Sequence, residues 1–447
     1  MLSAQPLKRT AQSGSTTFRD EKRDQLIVST TCRFEYMKPL ISSIAKVTWK
    51  LTLAAISTTG AHASGPAFTG VVAEADDASS VFTAPAGMTR LDGDQLTVTG
   101  IVAQGFSSFH VDKRTTTIDG GDPDDDSDPV IIPALYYVYE LNEKWRLGAS
   151  LSVPTGFGAD YGNSWAGRYK TVNFSLVYVS VTPAIAYRVN DKLSLGGSLG
   201  FNYTQETSEQ KIPQLFSDRD GTLKSDLDGV GVNVTLSALY ELSDRTRAAI
   251  AWTSDSEADL EGKVKLRNLD PGFDEIATEL GIKNIDTKVT NTLPQRVLAG
   301  VYHELASGKF LTIDTMWVKF SDFSVSNLEL NGNKINVSAP SIYNDLWAVT
   351  AGMGFPLDSR KTCRVGALYL SQGVDDDDRN FSISIDAMWG VGAGFSYALE
   401  SGRRLDVNAT ILNTGDAPVD SEGLVSGRVV GKNKNPYALL VDLSYSF

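Results

Sequence analysis

The sequence predicts an all-β fold, a transmembrane antiparallel β-barrel of about fourteen strands. Three observations predict it. The first is the stretch from Tyr437 to Phe447, the last eleven residues, which alternates without a break. Tyr437, Leu439, Val441, Leu443, Tyr445 and Phe447 share one face, and Ala438, Leu440, Asp442, Ser444 and Ser446 share the other. Alternation of period two is a strand with one apolar and one mixed face. Its length matches the roughly 9–11 residues that a tilted strand needs to cross a bilayer core. The second observation is that short turns alternate with long connections along the chain. The third is a secretory signal ahead of the first strand.

That signal begins at Met37, with Lys38, Lys46 and Lys50, continues through the apolar run from Leu51 to Ile56, and ends at Ala61-His62-Ala63. A basic start, a short apolar centre and a small-x-small exit describe a signal peptide, residues 37–63. Residues 1–36, with the charged cluster from Arg19 to Asp24, are read as an upstream mis-start or an extension. Without residues 1–63 the chain loses nine Lys/Arg and four Asp/Glu, so its balance moves from −13 to −18. Such acidity offers no basic stripe to phosphates and argues against a nucleic-acid partner. Cys363 alone remains, too few for a disulfide or a zinc site.

The short turns fall at Asn142-Glu-Lys, Asn190-Asp191, Ser243-Asp-Arg, Ala306-Ser-Gly308, Asp358-Ser-Arg and Glu400-Ser-Gly402. Each sets turn-forming Asn, Asp, Ser or Gly between alternating runs. Longer connections fall near 113–129, 157–168, 213–228, 265–290, 331–342, 375–386 and 416–434. One short-looped end and one long-looped end is the asymmetry of outer-membrane barrels. Within the strands, Val232, Val234, Leu236 and Ala238 alternate with Gly231, Asn233, Thr235 and Ser237. Tyr137, Trp145, Tyr187, Trp252, Trp317, Trp347 and Trp389 recur near strand ends, where aromatic girdles belong. A soluble β-sandwich shares the alternation but explains neither the signal, nor Phe447, nor the loop asymmetry. A barrel of this size also needs filling, and residues 64–91, rich in small residues, are the segment available; the other reading is a periplasmic leader.

That segment carries Ser64-Gly-Pro-Ala-Phe-Thr-Gly70, then Ala75-Asp-Asp-Ala-Ser79, then Ala84-Pro-Ala-Gly-Met88. It resembles the N-terminal segment of the FadL/TodX (OMPP1) family, whose members show an ADDAS stretch and then N-P-A-G-[ML]; Ala84 stands where the family has Asn. Further pieces follow in order: Pro154 to Tyr161, Trp165 to Tyr169, Pro183 to Tyr187, Lys192 to Gly196, Ala238 to Glu241 and Leu293-Pro294. The terminal Phe447 resembles the C-terminal signature that bacterial outer-membrane barrels present to the barrel-assembly machinery. The resemblance implies a fourteen-stranded barrel, residues 92–447, and an N-terminal lumen plug, residues 64–91. It also implies a monomer that carries long-chain fatty acids or other hydrophobic compounds. Asp76 and Asp77 would bond lumen polar groups, and Pro85 and Gly87 belong to the same plug.

Binding candidates lie in the long loops. Asp270-Pro271 is a helix start, after which Phe273, Ile276, Ala277 and Leu280 share a face and Gly281 stops the helix. That face offers a hydrocarbon chain an apolar ledge, or else packs on the barrel rim. Leu215 and Phe216 in the neighbouring connection extend it. Arg168 between Trp165 and Tyr169 suits a carboxylate head group, because guanidinium pairs with it bidentately; Lys265 and Arg267 are alternatives, and a contact with lipopolysaccharide or a lumen acid competes with this role. The acidic runs Asp122 to Asp128 and Asp375 to Asp378 lack the spacing of an EF-hand and read as solvated loop charge, with loose Ca²⁺ or Mg²⁺ binding as the alternative. No catalysis is expected: past residue 63 only His110 and His303 remain, with no serine motif beside them. No cofactor and no metal is expected either. The function expected is passive outer-membrane transport of hydrophobic molecules, long-chain fatty acids first. Aromatic or alkane hydrocarbons by the same route, or a general diffusion porin, are the alternatives.

Overall fold

The computed structural model describes residues 65–124, 128–335, 341–382 and 386–447. The expected signal peptide and the upstream extension lie outside the described residues. Among those described, the strands close into one antiparallel barrel: β1 (Gln95–Gly105), β2 (Val130–Glu140), β3 (Trp145–Asp160), β4 (Asn173–Arg188), β5 (Leu193–Ile212) and β6 (Gly221–Ser243). Then come β7 (Thr246–Thr253, continuing as Ser256–Arg267), β8 (Asn284–Leu293, continuing as Arg296–Glu304) and β9 (Phe310–Val318, continuing as Ser324–Leu330). The wall ends with β10 (Leu346–Pro356), β11 (Lys361–Leu370), β12 (Met388–Ala398), β13 (Arg404–Asn413) and β14 (Tyr437–Ser446). Each pairs with its sequence neighbour, and β14 returns to β1 with Asp442 opposite Ile101. That last pairing leaves no sheet edge in the ring, the condition for exposing strands to lipid.

The terminal strand shows how the wall is written. Tyr437, Val441, Leu443 and Phe447 are exposed, whereas Ala438, Leu440, Ser444 and Ser446 are buried. Exposure of the apolar row means a face toward lipid, not a failed core. Inside, hydroxyls pair across strands, Thr97 with Ser446 at 3.0 Å and Thr99 with Ser444 at 3.2 Å. Strands of ten or eleven residues, such as β1, β2 and β10 to β14, rise about 3.3 Å per residue. Tilted by about 45°, they cover the roughly 25 Å apolar band of such barrels. Tyr137, Trp145, Trp252, Trp347 and Trp389 stand exposed along the wall.

All six short turns join strands where expected. Two of the long connections are shorter than expected, because β5 reaches Ile212 and β6 starts at Gly221, while β7 reaches Arg267 and β8 starts at Asn284. Charge alternating with apolar residues in Lys224 to Asp228 and Ile285 to Val289 reads as loop in the sequence; here the strands run on beyond the apolar band and pair along their length. The sequence also reads His110 as closing the first strand near the outer rim, but β1 ends at Gly105. His110 lies on a separate strand, Ser108–Val111, which pairs with Gly427–Lys434 in a small loop sheet.

Residues 65–91 are almost wholly buried and hold a 3-10 turn (Pro66–Phe68), one helical turn (Ser80–Thr83) and a longer 3-10 stretch (Pro85–Arg90). Their backbone meets the wall on several sides. Ala67 N donates to Thr410 Oγ1 on β13, Gly70 N to Asp314 Oδ2 on β9, and Ala86 N to Ser237 Oγ on β6, each at 2.8 Å. A segment touching strands so far apart around a closed ring lies inside it. Glycines on the wall make the room: a Cβ at Gly196 would collide with the Ala86 nitrogen, and one at Gly366 with the Pro66 carbonyl.

Candidate functional site

Three places in the barrel combine chemistry with exposure to a passing molecule. The outermost is the helix Pro271–Glu279, between β7 and β8. Its face is as the spacing predicts, but it does not pack on the rim. Phe273, Ile276 and Leu280 are exposed and only Ala277 is buried. Leu215 (78% exposed) and Phe216 (85%) stand out in the adjacent loop. Asp270 occupies the cap position but spends its carboxylate elsewhere: Oδ2 accepts from Phe216 N at 2.9 Å, and Asp270 N donates to Gln214 Oε1 at 2.6 Å. The two loops are thereby tied, and five large apolar side chains meet water. Large exposed apolar side chains on two joined loops make this a candidate interaction site.

Arg168 sits in another loop, and its guanidinium is engaged. Nε meets Asp220 Oδ2 at 2.7 Å, Nη1 donates to the Asp119 carbonyl at 2.6 Å, and Nη2 to the Tyr169 hydroxyl at 2.8 Å. It braces loops, and a head group would have to displace Asp220. Near it Trp165, Tyr161, Phe109 and Phe381 form an aromatic core under the loop sheet.

The second place is a lumen cavity of about 40 Å³ beside Phe82 of the N-terminal segment. Its wall comes from Pro154 and Thr155, Asn202, Asn233, Thr253, Leu293, Pro294, Arg296 and Val318. Four strands are irregular here. β3 shifts register between Ser152 and Thr155, β7 breaks after Thr253, β8 breaks at Pro294, and β9 breaks after Val318. Pro154 and Pro294 have no N–H for the ladder, which is why the wall kinks at their level. Beyond Val318, a 3-10 turn (Phe320–Asp322) tucks Phe320 and Phe323 inward against Phe157 and Tyr343, with ring centroids 5.0 to 6.3 Å apart. Arg296 is the one charged residue lining the cavity, and its guanidinium carbon lies 5.0 Å from the Phe82 ring centre. Sequence reading quoted Pro154 and Leu293-Pro294 but missed Phe82 and Arg296. An inward-pointing charge two residues past a strand-breaking proline was the available signal.

The third place is the short-looped end. Arg404 on β13 pairs with Asp76 at 2.6 Å, Asp77 at 3.0 Å and Asp406 at 2.7 Å. Arg364 on β11 pairs with Glu74 at 2.9 Å and Asp76 at 3.3 Å. Arg247 on β7 donates to the Ala73 carbonyl at 2.6 Å, and Arg146 and Arg188 to the carbonyls of Leu91 and Thr89. So Asp76 and Asp77 do bond lumen groups, and these are arginines. Pro85 and Gly87 shape the turn instead: Pro85 starts the 3-10 stretch, and Gly87 N closes it on the Ala84 carbonyl at 2.8 Å. A Cβ at Gly87 would crowd Ala75 at 2.8 Å.

Burial pushes the Glu74 carboxyl up to about 7 although Arg364 opposes it, and burial together with the Asp76 charge pushes Asp77 up to about 7. Asp76 is buried too, but Arg404 and Arg364 outweigh that and hold it well below the usual range. A carboxyl whose docked pKa lies above its free value supports docking most fully at pH below that free value. The support is lost as pH rises through about 7. Residues 70–80 are therefore expected to exchange amide hydrogens progressively faster, relative to the intrinsic rate, from pH 5.5 to 8.5. Protection that stays constant or grows over that window contradicts the assignment.

Among the described residues no group of three or more His, Cys, Asp or Glu side chains is placed to share a metal ion. Asp122 binds His110 Nδ1 at 3.0 Å, and His110 Nε2 lies 3.4 Å from Ser108 Oγ; none of the three lines the cavity.

The model of the family described as outer membrane protein transport protein (OMPP1/FadL/TodX) matches residues 41–447. The chain belongs to the OMPP1/FadL/TodX family. Its barrel is thus an outer-membrane one, crossed by strands; no described helix is long and apolar enough to cross. The long-chain fatty acid transport protein of Escherichia coli O6:H1 is 23% identical over 350 residues, 71% of this chain and 77% of that one. Outer membrane protein P1 of Haemophilus influenzae is 24% identical, over 71% and 76% of the two chains. Among solved structures, a Pseudomonas aeruginosa FadL homologue superposes with a TM-score of 0.78 at 20% identity, covering 87% of this chain and 98% of its own. The Pseudomonas putida toluene transporter TodX gives 0.63 at 16%, covering 86% and 98%. At such identities the FadL/TodX neighbours show the fold, and the fold is shared almost end to end. Two of these, the Escherichia coli protein and TodX, are named for transport.

Proposed function

We propose that this chain carries hydrophobic molecules passively across the outer membrane, and that long-chain fatty acids are the cargo its lumen fits best. The observation that carries the reading is Arg296, a single guanidinium in a cavity otherwise without charge. A buried guanidinium favours a ligand with a carboxylate, which it holds by charge-assisted hydrogen bonds. Phe82, Leu293 and Val318 give the adjoining chain an apolar wall. The route runs from the exposed ledge of Leu215, Phe216, Phe273, Ile276 and Leu280, past the Phe157–Phe320–Phe323 cluster, to the Arg296 cavity. The cavity of about 40 Å³ is far below the roughly 300–1,000 Å³ of ligand pockets. Passage therefore requires the segment at 65–91 to move, which is the plug role we assign to it. A filled lumen also speaks against a general diffusion porin.

No step in this route uses a nucleotide, a metal or a covalent intermediate, and we assign no catalysis. Outer-membrane lipid would cover the outward apolar row, lipopolysaccharide would meet the upper, charged parts of β5 to β9, and the barrel-assembly machinery would read the strand ending in Phe447. A second reading, hydrocarbon cargo, is favoured by the ledge, whose five apolar side chains carry no charge and would hold an alkane or aromatic ring equally well. Uptake of radiolabelled oleate in a Gram-negative host lacking its own fatty-acid transporter tests the proposal. The chain should restore it. Phe273→Asp should lower uptake several-fold at limiting oleate and little at saturation, since capture and not passage is impaired. Failure to restore oleate uptake by protein folded in the outer membrane, with toluene or alkane uptake gained instead, would hand the function to hydrocarbons.

A further inference from the structure

Between the ledge and the Arg296 cavity one hydrogen bond crosses the lumen. The Tyr178 hydroxyl on β4 donates to Asn291 Oδ1 on β8 at 2.6 Å, and both residues are buried. Four strand spacings of about 4.8 Å separate β4 from β8 around the wall, so the bond is a chord and not a rung of the ladder. Register fixes its height. Tyr178 stands opposite Thr155, which lines the cavity, and Asn291 is one inward position from the cavity residue Leu293, on the ledge side. Tyr178 belongs to the same buried cluster as Phe157, Phe320 and Phe323, and closes the passage with them. Among the described residues two polar atoms at this level have no partner. They are Asn291 Nδ2 and Thr204 Oγ1, the latter on the β5 residue opposite Tyr178. Buried polar atoms left bare are rare, and two at one level of a transport path mark a place where a polar guest fits.

We infer that Tyr178 and Asn291 form a polar crossbar that selects cargo by its head group, admitting amphiphiles with a hydrogen-bonding head ahead of plain hydrocarbons. The inference deepens the carrier reading and rests on it. Cargo moving from the ledge to the cavity must part the two side chains. Parting them leaves the Tyr178 hydroxyl and the Asn291 carbonyl buried and unpaired, and an unpaired buried polar group is costly. A hydrocarbon offers nothing in return and meets the whole barrier. An alcohol or carboxylic acid replaces the bond it breaks. Its oxygen accepts from the Tyr178 hydroxyl and from Asn291 Nδ2, which lacks an acceptor even in the closed arrangement, and its own O–H donates to Asn291 Oδ1. Thr204 Oγ1 stands at the same level and gains a partner too. Capture on the uncharged ledge is indifferent to the head group, so the discrimination arises at the crossbar. A ligand shifts an equilibrium only through its different affinity for the two states, and here the head group supplies that difference to the parted state.

The test compares uptake of radiolabelled oleyl alcohol and octadecene by the full chain in the transporter-deficient host, above the background of the empty host and with oleate as reference. Both test ligands are uncharged, so neither Arg296 nor Glu206, which follows Thr204 on the inward face of β5, attracts or repels one of them by charge. The unaltered chain should take up the alcohol about tenfold faster than the alkene. Tyr178→Phe keeps the ring in its packing and deletes the bond. Alkene uptake should then rise about tenfold while alcohol uptake changes little, so that the preference vanishes. Asn291→Val deletes the other half of the bond and should abolish the preference as well; it decides the matter if Tyr178→Phe does not fold. A preference that survives in the folded variants, or none in the unaltered chain, overturns the crossbar and leaves the carrier reading standing as long as oleate uptake is restored. Uptake of none of the three by folded protein removes the carrier reading, and the crossbar with it.

Discussion

Arg404→Leu is expected to open the barrel. The substitution leaves Asp76, Asp77 and Asp406 facing one another without the guanidinium that now bridges all three. Removing one partner of a buried pair costs about 3–5 kcal/mol, and that cost can be relieved by expelling the segment to water. The barrel itself should survive, because β13 keeps its full ladder to β12 and β14. Planar-bilayer recordings should then show steady conductance where the unaltered protein is closed most of the time. Heat-modifiable mobility on gels would confirm that the wall is intact. A folded Arg404→Leu protein that stays closed would show that the segment is held by its apolar packing, Val72, Val81, Phe82 and Met88 in the buried core, and not by the ion cluster.

Arg296→Leu is expected to separate the two cargo classes. A hydrogen bond to a charged group contributes about 1.5–3 kcal/mol, which corresponds to a roughly ten- to hundred-fold loss of oleate affinity. Leucine fills similar space against Phe82 and Val318, so a neutral ligand such as toluene or an alkane should bind unchanged or somewhat tighter. Parallel uptake assays with oleate and toluene read the difference directly. Loss of both by equal factors would make Arg296 a brace for the kink in β8, with no part in recognition.

Much of the fold was legible because the bilayer imposes a simple code. Alternation such as that of Tyr437 to Phe447 reports a face toward lipid residue by residue, and the six tight turns are punctuated by Asn, Asp, Ser and Gly. The strand ends above the bilayer were less legible. In Lys224 to Asp228 and Ile285 to Val289 charged residues on the outer face meet water and headgroups, so the alternation that marks a strand reads as a polar loop. The helix at 271–279 was legible from its spacing, but its exposure was not. That depends on Asp270 turning from its own helix to Phe216 N, a contact that no local pattern encodes.

The lumen was the least legible part. Arg364 and Arg404 each occur singly on a strand, and nothing in their neighbourhood distinguishes a lumen arginine from one at a rim; Arg296 alone has a local marker, Pro294 two residues before it. Asp76 and Asp77 could be placed in the segment, yet their partners lie some three hundred residues away in sequence. Such pairings follow from closure of the ring and not from any periodicity. Arg168 shows the converse. Its aromatic neighbours suggested a ligand, and the fold supplies Asp220 in its place.

The most direct measurement is flux through the purified protein reconstituted in liposomes, with a fatty-acid-binding protein trapped inside as the sink and no nucleotide present. Passive carriage predicts oleate entry that runs down its gradient, saturates, and far exceeds entry into empty liposomes, while a polar solute such as glucose stays out. Glucose entering as fast as oleate, or oleate entering no faster than through bare lipid, would contradict it.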